Sequence, residues 1–144
     1  MRKLVVLSCL ALAGSACAPA RDDAGADRRA DRPRGPAQPE IAQVTVDELD
    51  HMLAGHQCVA VDANGDATRR RMGVIPGAVL LTDDAIDKLP ADRSQSLVFY
   101  CANEACRSSH EAATRAFLAG YTHVKVMPAG IAGWVRAGKR TSSI

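Results

Sequence analysis

Cys101 is the residue of this chain best placed by its neighbours to act as a nucleophile. The run Leu97-Val98-Phe99-Tyr100 is apolar and of strand type, Cys101 closes it, and after a short loop Arg107-Ser108-Ser109 opens a helix. A thiol so placed sits at the carboxyl end of a buried strand, where open α/β sheets bind ligands. It also lies beside a helix start, whose unpaired N–H groups and partial positive charge are joined by the full charge of Arg107. These are expected to favour the Cys101 thiolate, the form that attacks, and to hold an anionic substrate next to it. Ala102, Asn103, Glu104, Ala105, Cys106 and Ser108 form the expected substrate-binding loop, with the backbone N–H groups of residues 103–106 turned into the cradle.

The elements that must position this loop are read from the apolar pattern. Residues 41–44 suggest a first strand, and Thr45 with Glu48 three positions on forms a capping box. The helix it starts carries Leu49, Met52 and Leu53 and stops at Gly55. Cys58-Val59-Ala60-Val61-Asp62 is a short apolar run of the kind buried in parallel sheets, broken by Asn64-Gly65-Asp66. A turn at Ile75-Pro76-Gly77 leads into a third strand, and a short helix is expected over residues 83–89, stopped by Pro90. After Cys101, Ser108 and Glu111 suggest a second capping box, with Ser109, Ala112, Ala113, Ala116 and Phe117 on one helix face. A strand over residues 123–127 and a helix over residues 130–137 complete the chain. Strand and helix alternate, which describes an α/β domain with a mainly parallel sheet and helices on both faces.

Of the 144 residues, 18 are basic and 16 acidic, a net charge of +2 that leaves no basic excess for nucleic acid. With 47% hydrophobic but only 3% aromatic residues, the core must be built from Val, Ile, Leu and Ala. Arg2 and Lys3, an apolar stretch over residues 4–12 and the small residues before Cys17 form a targeting segment of residues 1–17. Cleavage before Cys17 resembles lipobox processing of bacterial lipoproteins, although Gly14 stands where a larger apolar residue is usual. The expectation is an exported protein of the periplasm or cell envelope, held at the membrane through lipid on Cys17. Residues 18–39 lack large apolar side chains and read as a disordered tether, leaving residues 40–144 as the domain.

Three motifs give that domain a resemblance to the rhodanese family, over nearly all of residues 40–140. Asp62 ends the second strand like the acidic residue of the family's Asp-x-Arg element. Gly73-Val74-Ile75-Pro76-Gly77-Ala78 is similar to its Gly-His-Ile-Pro-Gly-Ala turn, and Gly130-Ile131-Ala132-Gly133-Trp134 to its C-terminal Gly-Gly-Ile-x-x-Trp block. The resemblance implies five parallel strands flanked by helices, a persulfide carried on Cys101, Arg107 as its catalytic partner and Asp62 in support. It implies a sulfurtransferase moving sulfur from a small anionic sulfur compound such as thiosulfate to a thiol or other thiophilic acceptor, with no cofactor.

This chain departs from the family pattern at Asn64, where arginine is common, at Val74 for histidine, and at Ala129 for the first glycine of the last block. Five residues separate Cys101 from Arg107, one more than is usual in sulfurtransferase members. That Cys-x5-Arg length is seen in related cell-cycle phosphatases and arsenate reductases, so oxyanion chemistry stands as an alternative, against which Tyr100 replaces their usual histidine. A non-catalytic, sulfide- or redox-responsive binding module is a third reading. Cys106 is either a thiol that resolves a persulfide or shields Cys101 from over-oxidation, or a small apolar residue packed under the loop. A disulfide between the two requires the loop to bend, and a zinc site from Cys101, Cys106 and His110 would have unusual spacing. Cys58 and Trp134 read as core. Of Arg69-Arg70-Arg71, one is expected to face the pocket while the others solvate a turn.

Overall fold

In the computed structural model, which describes residues 39–82 and 85–144, the chain enters through a two-residue strand, β1 (Ala42–Gln43), and turns into helix α1 (Val46–Ala54). The expected capping box is formed. Thr45 Oγ1 accepts from the Glu48 N–H at 3.2 Å, and Glu48 Oε2 accepts from the Thr45 N–H at 2.7 Å. Residues 1–38, which include the targeting segment, Cys17 and almost all of the tether, lie outside the described residues.

There follow β2 (Val59–Asp62), α2 (Asp66–Met72), β3 (Val79–Leu80), β4 (Leu97–Tyr100), α3 (Ser108–Leu118), β5 (Val124–Val126) and α4 (Gly130–Arg136). The five strands form one sheet in the order β1-β5-β4-β2-β3, with every pair parallel. β4 lies at the centre, and all four of its residues are buried. Because strand side chains alternate, Leu97 and Phe99 join Val61, Val126 and the alanines Ala112, Ala113 and Ala116 of α3 on one face. Val98 and Tyr100 join Ala60, Met127, Leu49, Ile131 and Trp134 on the other. Small residues along α3 let that helix lie close to the sheet, which is how a core poor in aromatic residues fills its volume. Cys58 and Trp134 are core residues as expected.

Four expectations about local structure are corrected. Residues 85–89 carry isolated turns, Ala85 N–H to Thr82 O and Leu89 N–H to Ile86 O, rather than a helix. So short a segment ending at Pro90 gains too few bonds to offset nucleation, and Asp83 and Asp84 lie outside the described residues. Helix α2 forms where a solvated arginine turn was expected. Its N-cap is Gly65, which has no capping side chain, but Asp66 in its first turn and Arg69, Arg70 and Arg71 in its last suit the helix dipole. Phe117, placed by periodicity on the buried face of α3, is 44% exposed. The second capping box is not made: α3 begins at Ser108 with Arg107 as its N-cap and no side-chain cap.

Arg69 is the residue that fixes the carboxyl ends of β2 and β3. It is 3% exposed, and its Nε lies 3.3 Å from Oδ1 of the fully buried Asp62. Its Nη2 donates to the carbonyls of Asp62 and Leu81, and its Nη1 to Asp66 at 3.2 Å. One guanidinium thereby ties two strand ends and the start of α2. Removing the cation leaves the Asp62 carboxylate buried without a counter-charge, which costs about 3–5 kcal/mol. Arg69→Met is therefore expected to lower unfolding stability by that amount in urea titration, whereas Arg70→Met, at an exposed position, should change it by less than about 0.5 kcal/mol.

Candidate active site

Helix α4 holds the loop after β4 from behind. The N–H groups of Ile131 and Ala132 donate to the carbonyls of Cys101 and Ala102 at 2.8 and 3.0 Å. Gly130 makes this approach sterically feasible. Its φ is +60°, and a Cβ there would lie 2.6 Å from the Cys101 carbonyl oxygen and 2.7 Å from Asn103 N. Within the loop, Asn103 folds the chain back on itself. Its side-chain oxygen accepts from the Ala105 N–H at 3.0 Å and its carbonyl from the Cys106 N–H at 3.0 Å. These two N–H groups therefore serve the turn, a correction to the expectation that all four from residues 103–106 face the cradle.

The turn returns Cys106 to Cys101, with the Cys106 carbonyl 3.3 Å from Cys101 Sγ, near enough for each thiol to influence the other's acidity. Cys101 is only 1% exposed. Its Sγ lies 3.2 Å from Ser109 Oγ and 3.3 Å from the Cys106 carbonyl. Cys106 is half-buried, with Sγ 3.6 Å from Ser108 Oγ. The serines at the start of α3 thus serve the sulfurs, not the helix end.

This geometry reverses the expected acidity. Burial pushes the Cys101 thiol up, the contact with Cys106 pushes it further, and the Ser109 hydroxyl and N–H only partly offset them. Burial also acts to raise Cys106, but hydrogen bonds from Cys101, the Ala102 N–H and Ser108 outweigh it and bring its thiol down. In the resting loop Cys106 is the more acidic sulfur. Arg107 supplies no close charge to Cys101. It is exposed and lines a cavity of about 300 Å³ with His110, Glu111, Thr114 and Arg115. Successive helical residues are about 100° apart, so with Ser109 facing the thiol, Arg107 two positions earlier is turned to the opposite side.

Two further cavities flank the loop. One of about 240 Å³ is lined by Asn103, Glu104, Ala105, Ala129 and Arg136. Arg136 was not singled out from the sequence, although Ala129 and Arg136 are seven residues apart and so share a helix face. The other, of about 260 Å³, is lined by Ser108, Glu111 and the buried Asn64, among others. Asn64 Nδ2 and Asp62 Oδ2 are buried without a hydrogen-bond partner among the described residues. Asp62 itself lies in the Arg69 cluster, with Oδ1 accepting from the Asn64 N–H at 2.7 Å. On the opposite face of β4 from Phe99, Tyr100 accepts from the Ile75 N–H at 3.0 Å, so it anchors the Ile75-Pro76-Gly77 turn. Among the described residues no three His, Cys, Asp or Glu side chains are grouped to hold a metal, and the Cys101–Cys106–His110 zinc arrangement is not assembled.

The rhodanese-like domain model matches residues 45–137, a span that includes the strand-end cysteine, its loop and the α4 clamp. The chain belongs to the rhodanese-like domain family. Among solved structures, the rhodanese-like domain protein of Staphylococcus aureus is similar at 26% identity and a TM-score of 0.57, over 72% of this chain and 100% of that one. The 3-mercaptopyruvate sulfotransferase SseA of Escherichia coli shares 21% identity and a TM-score of 0.57, over 72% of this chain and 52% of its own. A Rhodopseudomonas palustris protein described as a possible tyrosine phosphatase gives 24% identity and a TM-score of 0.60, over 71% of this chain and 85% of its own. The last two likenesses show the fold alone. No curated protein shows significant similarity.

For this rhodanese-like domain the coupled thiols predict a two-step titration. The first proton should leave below the ordinary thiol range, because the loop stabilises a charge on Cys106, and the second above it. Thiolate absorbance against pH should show both steps in the wild type. In Cys106→Ser the early step should vanish, leaving only a late rise from Cys101 and Cys58, both of which burial holds high.

Proposed function

We propose that this domain is a sulfurtransferase that carries a sulfane sulfur as a persulfide on Cys101. The observation that carries the reading is the buried Cys101 sulfur at the end of β4, held by the α4 clamp, 3.2 Å from Ser109 Oγ and 3.3 Å from the carbonyl of the more acidic Cys106. A thiol made less acidic by burial needs a base. Cys106, as thiolate, accepts the hydrogen bond from Cys101 and takes its proton as Cys101 attacks the outer sulfur of a thiosulfate-like donor. The new bond joins Cys101 Sγ to the sulfane sulfur, the donor's S–S bond breaks, and sulfite leaves with the electron pair. A thiophilic acceptor then removes the outer sulfur and the Cys101 thiolate is restored. Covalent transfer of this kind divides one difficult step into two.

Arg136 suits the donor's anionic end better than Arg107 does, because it lines the cavity against Asn103, Glu104 and Ala105. The position of Arg107 also bears on the oxyanion alternative. A phosphatase or arsenate reductase with a Cys-x5-Arg loop requires the arginine to face the dianion over the cysteine, and here it faces the outer side of α3. Export and lipid attachment at Cys17 complete the proposal, placing the domain at the cell envelope and its sulfur donor in that compartment.

Thiosulfate:cyanide sulfurtransferase turnover is expected to exceed hydrolysis of an aryl phosphate in parallel assays, and Cys101→Ser should abolish it without loss of fold by circular dichroism. Cys101-dependent phosphate release with no thiocyanate would reverse the assignment. For the donor site, Arg136→Ala should raise KM for thiosulfate several-fold and leave kcat near that of the wild type, since one exposed charge contact is worth about 0.2–1 kcal/mol. An unchanged KM would remove Arg136 from the donor site.

A further inference from the structure

We infer that Cys106 resolves the Cys101 persulfide within the loop, releasing hydrosulfide and leaving a Cys101–Cys106 disulfide that a dithiol partner must reduce. The inference rests on the persulfide reading and names the product and the second substrate class of the same site. Its basis is the geometry of the turn. Asn103 folds the loop by accepting from the Ala105 and Cys106 N–H groups, which brings Cys106 back until its carbonyl lies 3.3 Å from Cys101 Sγ, across a loop whose tip, Asn103, Glu104 and Ala105, is exposed. Cys101 Sγ is enclosed at the base, whereas Cys106 is only half-buried.

The step balances without an external oxidant. After loading, Cys101 carries the persulfide as Cys101–S–S⁻ and Cys106 holds the proton it took. The Cys106 sulfur attacks Cys101 Sγ and a bond forms between them. The bond from Cys101 Sγ to the sulfane sulfur breaks, and that sulfur leaves with the electron pair and the Cys106 proton as HS⁻. The sulfane sulfur is reduced by two electrons, and the two cysteine sulfurs together are oxidised by two. Resetting the loop requires a thiol–disulfide exchange in which a dithiol attacks the more accessible Cys106 sulfur, releases Cys101 as thiolate and becomes a disulfide itself. A donor's oxidised sulfur thus emerges as hydrosulfide at the expense of a dithiol, and cyanide or a free thiol is only a substitute acceptor.

The test uses pre-reduced protein under argon, thiosulfate as donor, intact mass and trapped sulfide. Wild-type protein is expected to release one equivalent of sulfide and to end two hydrogens lighter than the dithiol, with no stable sulfur adduct. Cys106→Ser, which also lacks the proposed base, should load more slowly, then keep one added sulfur atom and release sulfide only when dithiothreitol is supplied. A stable sulfur adduct on the wild type, or equal sulfide release from Cys106→Ser, would overturn the inference. If neither protein takes sulfur from thiosulfate, the sulfurtransferase reading fails on its own. Loading with inorganic polysulfide, followed by desalting, then decides the dithiol step separately. Conversion of the wild type to the disulfide while Cys106→Ser stays persulfidated supports it, and persistence of the persulfide in both refutes it.

Discussion

Two backbone hydrogen bonds, from Ile131 and Ala132 to the carbonyls of Cys101 and Ala102, set where the Cys101 sulfur can be, and most of the site follows from them. They need helix α4 to come within contact distance of the loop backbone, and that distance leaves no room for a side chain at Gly130. The helix is positioned in turn by Ile131 and Trp134, buried against the same sheet face as Val98 and Tyr100. Strand β4 therefore specifies the site twice. Its end carries the cysteine, and its inward side chains seat the helix that restrains it. The Arg69 cluster performs the matching task one strand away, where it holds β2 and β3 at the rim of the same crevice.

In the proposed chemistry, buried Cys101 and its more acidic neighbour Cys106 take different parts. Burial protects Cys101 from solvent and withholds its charge, while Cys106 sits far enough out to be ionised and to meet other molecules. The serines explain how this is arranged so cheaply in sequence. Ser108 and Ser109 are adjacent, and in the first turn of α3 they reach different sulfurs.

The strands and the strand-end cysteine were legible because an apolar run such as Leu97-Val98-Phe99-Tyr100 has one stable destination, the interior of a sheet. The Thr45–Glu48 capping box was equally plain, since its two bonds are local to four residues. Helix α2 was not, because seven residues preceded by a glycine cap carry little periodic signal and its decisive contact, Arg69 with the Leu81 carbonyl, joins residues twelve apart. The order of thiol acidities was hidden for a similar reason. Helix dipole and Arg107 could be inferred from adjacency, but the outcome depended on a turn that Asn103 makes and on which way each side chain leaves α3. One departure from the rhodanese pattern, Asn64 where arginine is common, does not leave Asp62 without a counter-charge, because Arg69 supplies a guanidinium 3.3 Å from its Oδ1.

The edges of the sheet have a consequence for how the chain behaves among its own copies. β1 and β3, which flank the three longer strands, are two residues each. An outer strand exposes a row of unpaired N–H and C=O groups on which another polypeptide can add, and very short edges offer little such template. Along its borders this parallel sheet gives an incoming strand room for only a bond or two. Domains crowded together would then stay separate, because fibril-like growth finds little edge on which to start.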